Sequence, residues 1–339
     1  MALLLNGTDG VTFNDGSEQW AAASPYNFKN YLINGNFDVW QRGTSHNITN
    51  SQYTIDRWQL IFDGTPAGGG TVTRQTFTLG QTDVPNNPKY YLQYDFPSVG
   101  TPSNYIRQSI EGVHNLAGKV ATFSFWAKVP SGTMTIGTQF QQEFGSGGSP
   151  SSGVYGIGST NFTVTTSWQK FTMTTTLPSI SGKTVGTNNN DKLNAAITFP
   201  GGPGTIHLAQ AQVEAGDTAT PFEVRPYDME FQRCIRYFRT VGDGIIARVS
   251  SATVAYYSHH FETPMRATPV MSLAPSASVR FGNFYNVDHT ATSPALLLPR
   301  ASYNAVVGQI NGFTGMTTAD VLQSWQSSPP GWLFCDAEL

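Results

Sequence analysis

Side chains that could do acid–base or metal chemistry are sparse in this sequence and show no catalytic spacing. The six histidines are His46, His114, His207, His259, His260 and His289. No two of them have the i, i+4 spacing beside a Glu that a helical zinc site requires. His259 and His260 stand close to Glu262, but neighbouring residues of a strand point to opposite faces of a sheet. His207 lies between two apolar strand residues and is expected to face solvent.

Motifs for nucleophilic catalysis and phosphate binding are absent as well. The sequence has no Gly-x-Ser-x-Gly turn, no Gly-x-x-x-x-Gly-Lys-Ser/Thr loop and no Gly-x-Gly-x-x-Gly motif. Two carboxylates can act as a glycosidase pair, and the candidates are Asp38, Asp56, Asp63, Asp95, Glu111, Glu143 and Glu214. No pattern brings two of these together, so we expect a protein without enzymatic activity.

Oxygen ligands near both ends of the predicted first domain suggest a structural calcium site. Asn36, Asp38 and Glu214 carry the hard oxygen atoms that calcium prefers. The alternative is that these side chains make turn and cap hydrogen bonds, which is the commoner use of Asn and Asp. Both interpretations stay open at this point, and no other cofactor is expected.

Aromatic side chains are the feature most compatible with a ligand. Sugars bind by stacking their apolar face on Trp or Tyr, while polar side chains complete the hydrogen bonds. Trp58 and Trp168 lie in strand-like segments, where packing in a core is the usual role. Tyr155 lies in a Gly-rich segment, where packing explains it less well. We take these three residues as candidates for contact with a glycan.

The run YLINGNFDVWQRG, at 31–43, combines a turn sequence with large apolar residues and one arginine. It could be a binding site or a structural corner that begins a β-domain. We favour the corner, because Asn and Gly form the turn and the apolar residues that follow can start a core strand. Arg42 is then expected to pair with Asp38 or Asp56 through charged hydrogen bonds.

The composition narrows the class of protein. Charged residues make up 12% of the 339 residues and the net charge is −3, whereas about 25% of an average soluble protein is charged. We therefore expect no nucleic-acid partner and no membrane insertion. The sequence near Met1 does not resemble a secretory signal. The two cysteines, Cys234 and Cys335, do not define a disulfide scaffold and suit buried positions.

Alternating apolar and polar residues predict an all-β fold. About nine strand-like segments follow one another between 31 and 226, including 54–62 and 161–177, with no long helix between them. This pattern predicts a jelly-roll β-sandwich with antiparallel strands. The polar stretches 145–159 and 178–191 are expected to be long loops.

The rest of the chain suggests three further parts. Residues 1–30 contain two turn signals around Val11 and are predicted to form a hairpin or extended arm. Apolar residues spaced i, i+3, i+4, i+7 predict a short linking helix over 227–240, capped by Asp228. Strand signals return over 241–339 and predict a second, smaller β-sandwich.

Several stretches resemble proteins of bacteriophage virions. The opening NYLINGNFDVWQRGTS with YTIDRWQL, and the later IHLAQAQVEAGDTATPFEVRPYDMEFQRCIRYFR, are similar to a jelly-roll domain found in tail fibres. That domain is itself similar to the carbohydrate-binding modules of glycoside hydrolases. The stretch over 6–24 resembles short virion-attachment arms. The resemblance covers nearly the whole chain, and 32–43, 53–58 and 210–238 are its most specific parts.

The resemblance implies a tail-fibre or receptor-binding protein of the virion that contacts glycans on the host surface. It also implies a homotrimer, attachment to other virion proteins through the arm, assembly in the host cytoplasm and release by lysis. An alternative in the same class is a purely structural adaptor, capsid-decoration or head-fibre protein without receptor activity. Two alternatives from other classes are a cellular carbohydrate-binding protein and a polysaccharide-degrading enzyme.

Overall fold

The computed structural model describes residues 11–12, 18–19, 28–48, 51–63, 70–96, 103–242, 244–274, 279–282, 288–318, 320–324 and 332–339. The described part is built from antiparallel strands and one nine-residue helix, as the alternating pattern predicted. Its first half is a jelly-roll sandwich. The strands up to the helix are β1 (Val11–Thr12), β2 (Glu18–Gln19), β3 (Ser45–Asn47), β4 (Gln52–Ile55), β5 (Trp58–Asp63), β6 (Thr71–Thr76), β7 (Tyr90–Phe96), β8 (Ser103–Glu111), β9 (Val120–Lys128), β10 (Met134–Glu143), β11 (Val154–Val164), β12 (Gln169–Thr176), β13 (Lys192–Thr198) and β14 (Gly204–Ala215).

Two six-stranded sheets form the sandwich. The order in the first, which we call the front sheet, is β12-β9-β14-β7-β6-β3. The order in the second, the back sheet, is β11-β10-β13-β8-β5-β4. In β9 of the front sheet, Phe123 and Phe125 are fully buried, and in the back sheet so are Phe140 and Leu193. The rings of Phe123 and Phe140 lie 6.1 Å apart across the core, and each such buried side chain contributes about 1.5–3 kcal/mol.

Two predicted strands are each divided in the structure. The segment 54–62 breaks at Arg57, whose φ of 72° turns the chain between β4 and β5. The segment 161–177 breaks at a turn that leads from β11 in the back sheet to β12 in the front sheet. The prediction that 145–159 is wholly a loop was wrong, because β11 begins at Val154 within it.

A second group of strands follows the helix and surrounds its own core. These strands form a three-stranded sheet, β15-β24-β18, and a seven-stranded sheet, β20-β19-β23-β16-β17-β22-β21. Phe281, Phe313 and Trp332 are buried between them. The strands are β15 (Phe238–Val241), β16 (Ile246–Ser251), β17 (Val254–His260), β18 (Val270–Leu273), β19 (Arg280–Gly282), β20 (Asp288–Thr290), β21 (Leu296–Ser302), β22 (Ala305–Asn311), β23 (Val321–Ser324) and β24 (Leu333–Asp336).

The helix, α1 (Tyr227–Ile235), is shorter than the predicted 227–240. Phe238 has the helical spacing but instead begins β15, where it pairs with Asp336 of β24. The predicted cap at Asp228 was also wrong, because Pro226 occupies the cap position and makes no side-chain cap bond. Cys234 on this helix and Cys335 on β24 are both buried and free.

Strands β1 and β2 pair as an antiparallel ribbon, which agrees with the hairpin predicted in the arm. The remaining residues before 28 lie outside the described residues. The division of the chain at 30/31, 226/227 and 240/241 into arm, first domain, linking helix and second domain stays a prediction. Within the described residues, no helix has the length and apolarity that a membrane span needs.

A buried polar corner joins the first sandwich to the end of the chain. The guanidinium of Arg42 pairs with Asp336 at 3.1 Å and with Glu338 at 3.6 Å, and it stacks on Phe238. Arg57 is buried beside it and also pairs with Glu338. The sequence correctly suggests a corner of charged hydrogen bonds around Arg42, but the partners come from residues nearly 300 positions later in the chain.

The predicted pairing of Arg42 with Asp56 is not made. The Asp56 carboxylate instead accepts hydrogen bonds from the backbone N–H of Gln41, at 2.7 Å, and from the Gln41 side chain. Burial raises the pKa of Asp56, and the nearby charge of Arg42 opposes that rise without a direct bond. The predicted pairing with Asp38 is not made either, since Asp38 accepts from Asn36.

Candidate functional site

Aromatic rings gather on the outer surface of the front sheet. In β7 the residues Leu92 and Tyr94 point into the core, so the alternation of a strand turns Tyr91 to the outer surface. Phe77, just after β6, and Trp168, just before β12, extend their rings over the same surface. We call the surface around Phe77, Tyr91, Trp168 and His207 the aromatic face.

The rings of the aromatic face come from opposite sides of the sheet. Three strands, β9, β14 and β7, lie between β12 and β6, which is a separation of about 19 Å at ordinary strand spacing. The ring centroids of Phe77 and Trp168 are nevertheless 5.3 Å apart, and Tyr91 lies 4.8 Å from Phe77 and 5.5 Å from Trp168. The rings meet because Phe77 and Trp168 lie just outside their strands and extend toward the middle of the sheet. The rings therefore form one continuous cluster across the front sheet.

A turn that leads from β11 of the back sheet to β12 of the front sheet holds Trp168 at the rim of the aromatic face. The hydroxyl of Thr165 donates to Gln169 at 3.0 Å across the turn. The backbone N–H of Val129 donates to the carbonyl of Thr165 at 2.9 Å. The ammonium of Lys128 lies 5.3 Å from the Trp168 ring centre, a cation–π contact. Trp168 is half-buried as a result and keeps part of its ring open to solvent.

His207 forms the floor of the aromatic face. Its ring lies 5.1 Å from that of Tyr91 and 6.3 Å from that of Trp168, and only 8% of the residue is exposed. Burial lowers the pKa of His207 to about 4, the charge of Lys128 lowers it further, and Asp95 opposes the change. The expectation that His207 faces solvent was therefore wrong. The side chain lies on the predicted outer face of β14, but the rings of Tyr91 and Trp168 cover it and keep the imidazole neutral.

Polar side chains continue the aromatic face along the strands. Gln93 donates to one carboxylate oxygen of Asp95 at 2.8 Å, and the hydroxyl of Thr205 donates to the other at 2.6 Å. Tyr91 and Asp95 are four residues apart on β7, a distance of about 13 Å. The surface therefore offers stacking at one end and fixed hydrogen-bonding groups at the other.

A groove of about 940 Å³ opens beyond Asp95, at the end of the sandwich. The groove is mixed in character, with polar and apolar residues from several strand ends. Its lining includes Asn47, Thr71, Asp95, Phe96, Met134 and Thr205. Asp95 and Thr205 line the groove and also form the polar end of the aromatic face. The groove therefore extends that end of the face.

The three aromatic candidates from the sequence have different positions. Trp168 belongs to the aromatic face. Tyr155 lies on β11 at the edge of the back sheet, is 63% exposed, and so stands on the opposite side of the sandwich. Trp58 is 0% exposed: its indole N–H donates to the carbonyl of Asn34 at 3.0 Å, and its ring lies 5.1 Å from that of Phe37. Trp58 is a core residue that a glycan cannot reach.

The predicted calcium ligands do not form one site. Asp38 accepts a hydrogen bond from the amide of Asn36 at 2.9 Å. Glu214 is occupied by Thr220, whose backbone N–H and hydroxyl donate at 3.0 and 2.6 Å, and by Gln212. In the described part of the chain, no group of three or more His, Cys, Asp or Glu is arranged to hold a metal ion. These oxygen atoms serve turns and loops, the alternative that the sequence left open.

Sequence reasoning missed Phe77, Tyr91 and Lys128. A signal for Tyr91 was present, since the alternation in YYLQYDF separates Tyr91, Gln93 and Asp95 from the core residues between them. The same alternation in β9 separates Lys128 from the phenylalanines. No local pattern shows that the residues flanking β6 and β12 bring their rings together, because that contact depends on how strands distant in sequence are arranged in the sheet.

No protein-family model matches the chain, and a comparison with the curated proteins finds no match either. Solved structures share parts of the fold. A tailspike protein 4 enzymatically active domain of bacteriophage CBA120 is 14% identical with a TM-score of 0.37, and the match covers 56% of this chain and 22% of that one. A putative sugar binding protein from Bacteroides thetaiotaomicron is 13% identical with a TM-score of 0.36, over 55% of this chain and 100% of that one.

The CBM22-1 xylan-binding domain from Paenibacillus barcinonensis is also similar, at 14% identity and a TM-score of 0.32, over 52% of this chain and 94% of that one. This chain thus spans about a fifth of the tailspike domain and nearly all of the two smaller proteins. At such identities and TM-scores, the similarity concerns the β-sandwich architecture and says nothing about a ligand.

Proposed function

We propose that this protein binds polysaccharide on the aromatic face. The observation that carries the proposal is the convergence of Phe77, Tyr91 and Trp168 on one surface of the front sheet. Sugar rings stack on such aromatic surfaces, and a surface with several rings suits a chain of sugars better than a single one.

The groups around the rings support a ligand with many hydroxyls. Gln93, Asp95 and Thr205 are fixed by hydrogen bonds to one another and present amide, carboxylate and hydroxyl oxygen atoms beside the rings. His207 is neutral in this surrounding, so the floor carries no charge. The charged fraction of the whole chain is only 12%, which also favours binding through stacking and hydrogen bonds.

We further propose that the polysaccharide lies on a host cell and that the protein is a tail-fibre or receptor-binding component of a virion. This finer proposal rests on the resemblance of 32–43, 53–58 and 210–238 to virion proteins. It includes a homotrimer, attachment through the N-terminal arm, and localisation in the virion. It also includes binding without cleavage, since no catalytic motif accompanies the aromatic residues.

An array of bacterial surface polysaccharides tests the proposal. Fluorescently labelled protein should bind a subset of capsular or lipopolysaccharide samples. Binding should persist at about 1 M NaCl, where the Debye length falls to about 3 Å, because stacking and hydrogen bonds are weakly screened. Binding that disappears in salt would contradict stacking as its source.

Two other outcomes would decide between the classes of function. If no polysaccharide and no host cell binds the labelled protein, the purely structural adaptor replaces the receptor-binding proposal. If bound polysaccharide releases new reducing ends, the protein is an enzyme and the proposal of binding without cleavage is wrong.

A further inference from the structure

A second pocket lies on the outer surface of the back sheet, on the opposite side of the sandwich from the aromatic face. It has a volume of about 260 Å³. Its walls come from the ends of β10 and β11 and from the two polar stretches that the sequence assigned to loops. The residues that matter here are Glu143, Ser146, Ser151, Gly153, Tyr155 and Lys192.

The two polar stretches hold each other in place and leave the pocket preformed. The backbone N–H of Gly186 donates to the carbonyl of Phe144 at 2.8 Å, and that of Ser151 donates to Thr184 at 2.9 Å. The backbone N–H of Ser146 also donates to the side chain of Asn190 at 2.8 Å. Because these bonds tie the two stretches to each other, binding would cost little ordering of the loops.

Tyr155 forms one wall of the pocket and is 63% exposed. Its ring lies against the backbone of Gly153, where an added Cβ would stand only 2.7 Å from the phenol oxygen. A glycine at 153 therefore lets the ring lie close to the main chain on one side. The exposed ring surface is available to stack on a flat apolar group, as one face of a sugar is.

An ion pair with low exposure lines the same pocket as Tyr155. The ammonium of Lys192 lies 3.6 Å from Glu143, and the side chains are 12% and 24% exposed. Glu143 also accepts hydrogen bonds from Arg107 at 2.9 Å and from Asn194 at 2.7 Å, which fix its position. The pocket thus holds a donor and an acceptor side by side.

The pairing of donor and acceptor selects the class of ligand. Each hydroxyl of a vicinal diol can donate to a carboxylate and accept from an ammonium group. The carboxylate of Glu143 repels a free anion, and Lys192 together with Arg107 repels a free cation. Neutral sugars carry vicinal diols beside an apolar ring face, so they match both the ion pair and Tyr155.

We propose that this pocket binds a single neutral hexose unit, stacked on Tyr155 with a vicinal diol at Lys192 and Glu143. The inference rests on the proposed function, since it adds a second sugar site to a polysaccharide-binding protein. The small volume suits a terminal unit, whereas the aromatic face suits an internal stretch of chain. One sandwich would then contact a polysaccharide through two opposite surfaces.

Nuclear magnetic resonance titration with methyl glycosides tests the second site. The probes are the methyl glycosides of glucose, galactose and mannose, with methyl glucuronide as an anionic comparison. At least one neutral glycoside should bind the full-length protein. Tyr155→Ala should weaken that binding about tenfold or more, and Tyr155→Phe should leave it within about threefold. Trp168→Ala, on the aromatic face, should not change it.

The polysaccharide array, repeated with the same variants, separates failure of this inference from failure of the proposed function. If no neutral glycoside binds, or if Tyr155→Ala binds as well as the original protein, the second site does not exist while polysaccharide binding can stand. Loss of glycoside binding in Trp168→Ala would place the sugar on the aromatic face instead. A preference for methyl glucuronide would overturn the neutral ligand class.

Discussion

His207 sits under the rings of Tyr91 and Trp168 with its charge removed by burial. An imidazolium ion at this position would lie beside Lys128 in a poorly hydrated space, so protonation is opposed by both burial and charge. The neutral imidazole can therefore serve as an extension of the aromatic surface. It also links the stability of the fold to pH.

We expect His207 to make the protein less stable in mild acid. Its pKa is about 4 in the folded protein against 6.5 for an ordinary histidine. Between these values the unfolded chain binds more protons, so the free energy of unfolding falls as the pH falls from 6.5 toward 4. The full effect is roughly 3 kcal/mol.

Urea unfolding at about pH 7 and about pH 4.5 measures this contribution. The loss of stability between the two pH values should be smaller in His207→Gln by roughly 2–3 kcal/mol. An unchanged pH dependence in His207→Gln would show that this histidine is not held neutral.

Trp58 and Trp168 show what sequence can and cannot predict about a residue. Both lie in strand-like segments of similar composition, and sequence alone made them equal candidates. Trp58 follows the corner at Arg57 and is fully buried in the core, whereas Trp168 follows a turn between the two sheets and lies on the aromatic face. The difference depends on where the chain turns, which periodicity does not reveal.

The strand β11 illustrates the same limit for an element. Its first residues lie inside a Gly-rich stretch. Bulges also interrupt its pairing with β10, at Thr138/Phe140 and Phe140/Gln142. Gly156 and Gly158 have φ values of +70° and +67°, which side chains rarely tolerate. The bulges break the alternation that identifies a strand. The sequence therefore predicted a loop over 145–159, which includes the first residues of β11. Long, regular strands such as β9 and β13 were predicted well.

The glycine at 158 should be required for β11 to pack. An added Cβ there would meet Thr175 at 2.6 Å and the sulfur of Met173 at 2.9 Å, whereas one at Gly182, with φ +74°, meets nothing within 4 Å. Gly182→Ala should cost about 1–2 kcal/mol from its backbone conformation alone. Gly158→Ala should cost more, by an additional amount of about 1–3 kcal/mol from crowding.

Chemical denaturation of both variants measures their free energies of unfolding and so checks this expectation. Equal losses of stability in Gly158→Ala and Gly182→Ala would mean that β11 does not pack against β12 as described.

For the whole molecule, the connection between the two groups of strands depends on charges far apart in sequence. Arg57 and Glu338 are 281 positions apart, and their side chains are only 1% and 3% exposed. The charge of Glu338 raises the pKa of Arg57 although burial opposes it. The sequence predicted two β-sandwiches and a linking helix, but it held no signal for this ion pair, because no local pattern relates residues so distant.

Breaking that pair should destabilise the protein strongly. Arg57→Met leaves the carboxylate of Glu338 in a buried position without its nearest charge, which typically costs about 3–5 kcal/mol. The exposed pair Arg280 and Asp288 provides a control, and Asp288→Asn should cost no more than about 1 kcal/mol. Urea unfolding compares the two variants. If both variants lose a similar, small amount of unfolding free energy, the ion pair of Arg57 and Glu338 does not stabilise the contact between the two groups of strands.

The measurement that tests the central claim most directly is calorimetric titration of Trp168→Ala with the oligosaccharide that the original protein binds best. We predict that the variant stays folded with a modest loss of melting temperature, since Trp168 lies outside the buried core but contacts neighbouring rings, and that its affinity falls about tenfold or more. Tyr303→Ala, a remote exposed tyrosine, should bind as the original protein does. An unchanged affinity in a folded Trp168→Ala protein would contradict the claim that the aromatic face is the binding surface.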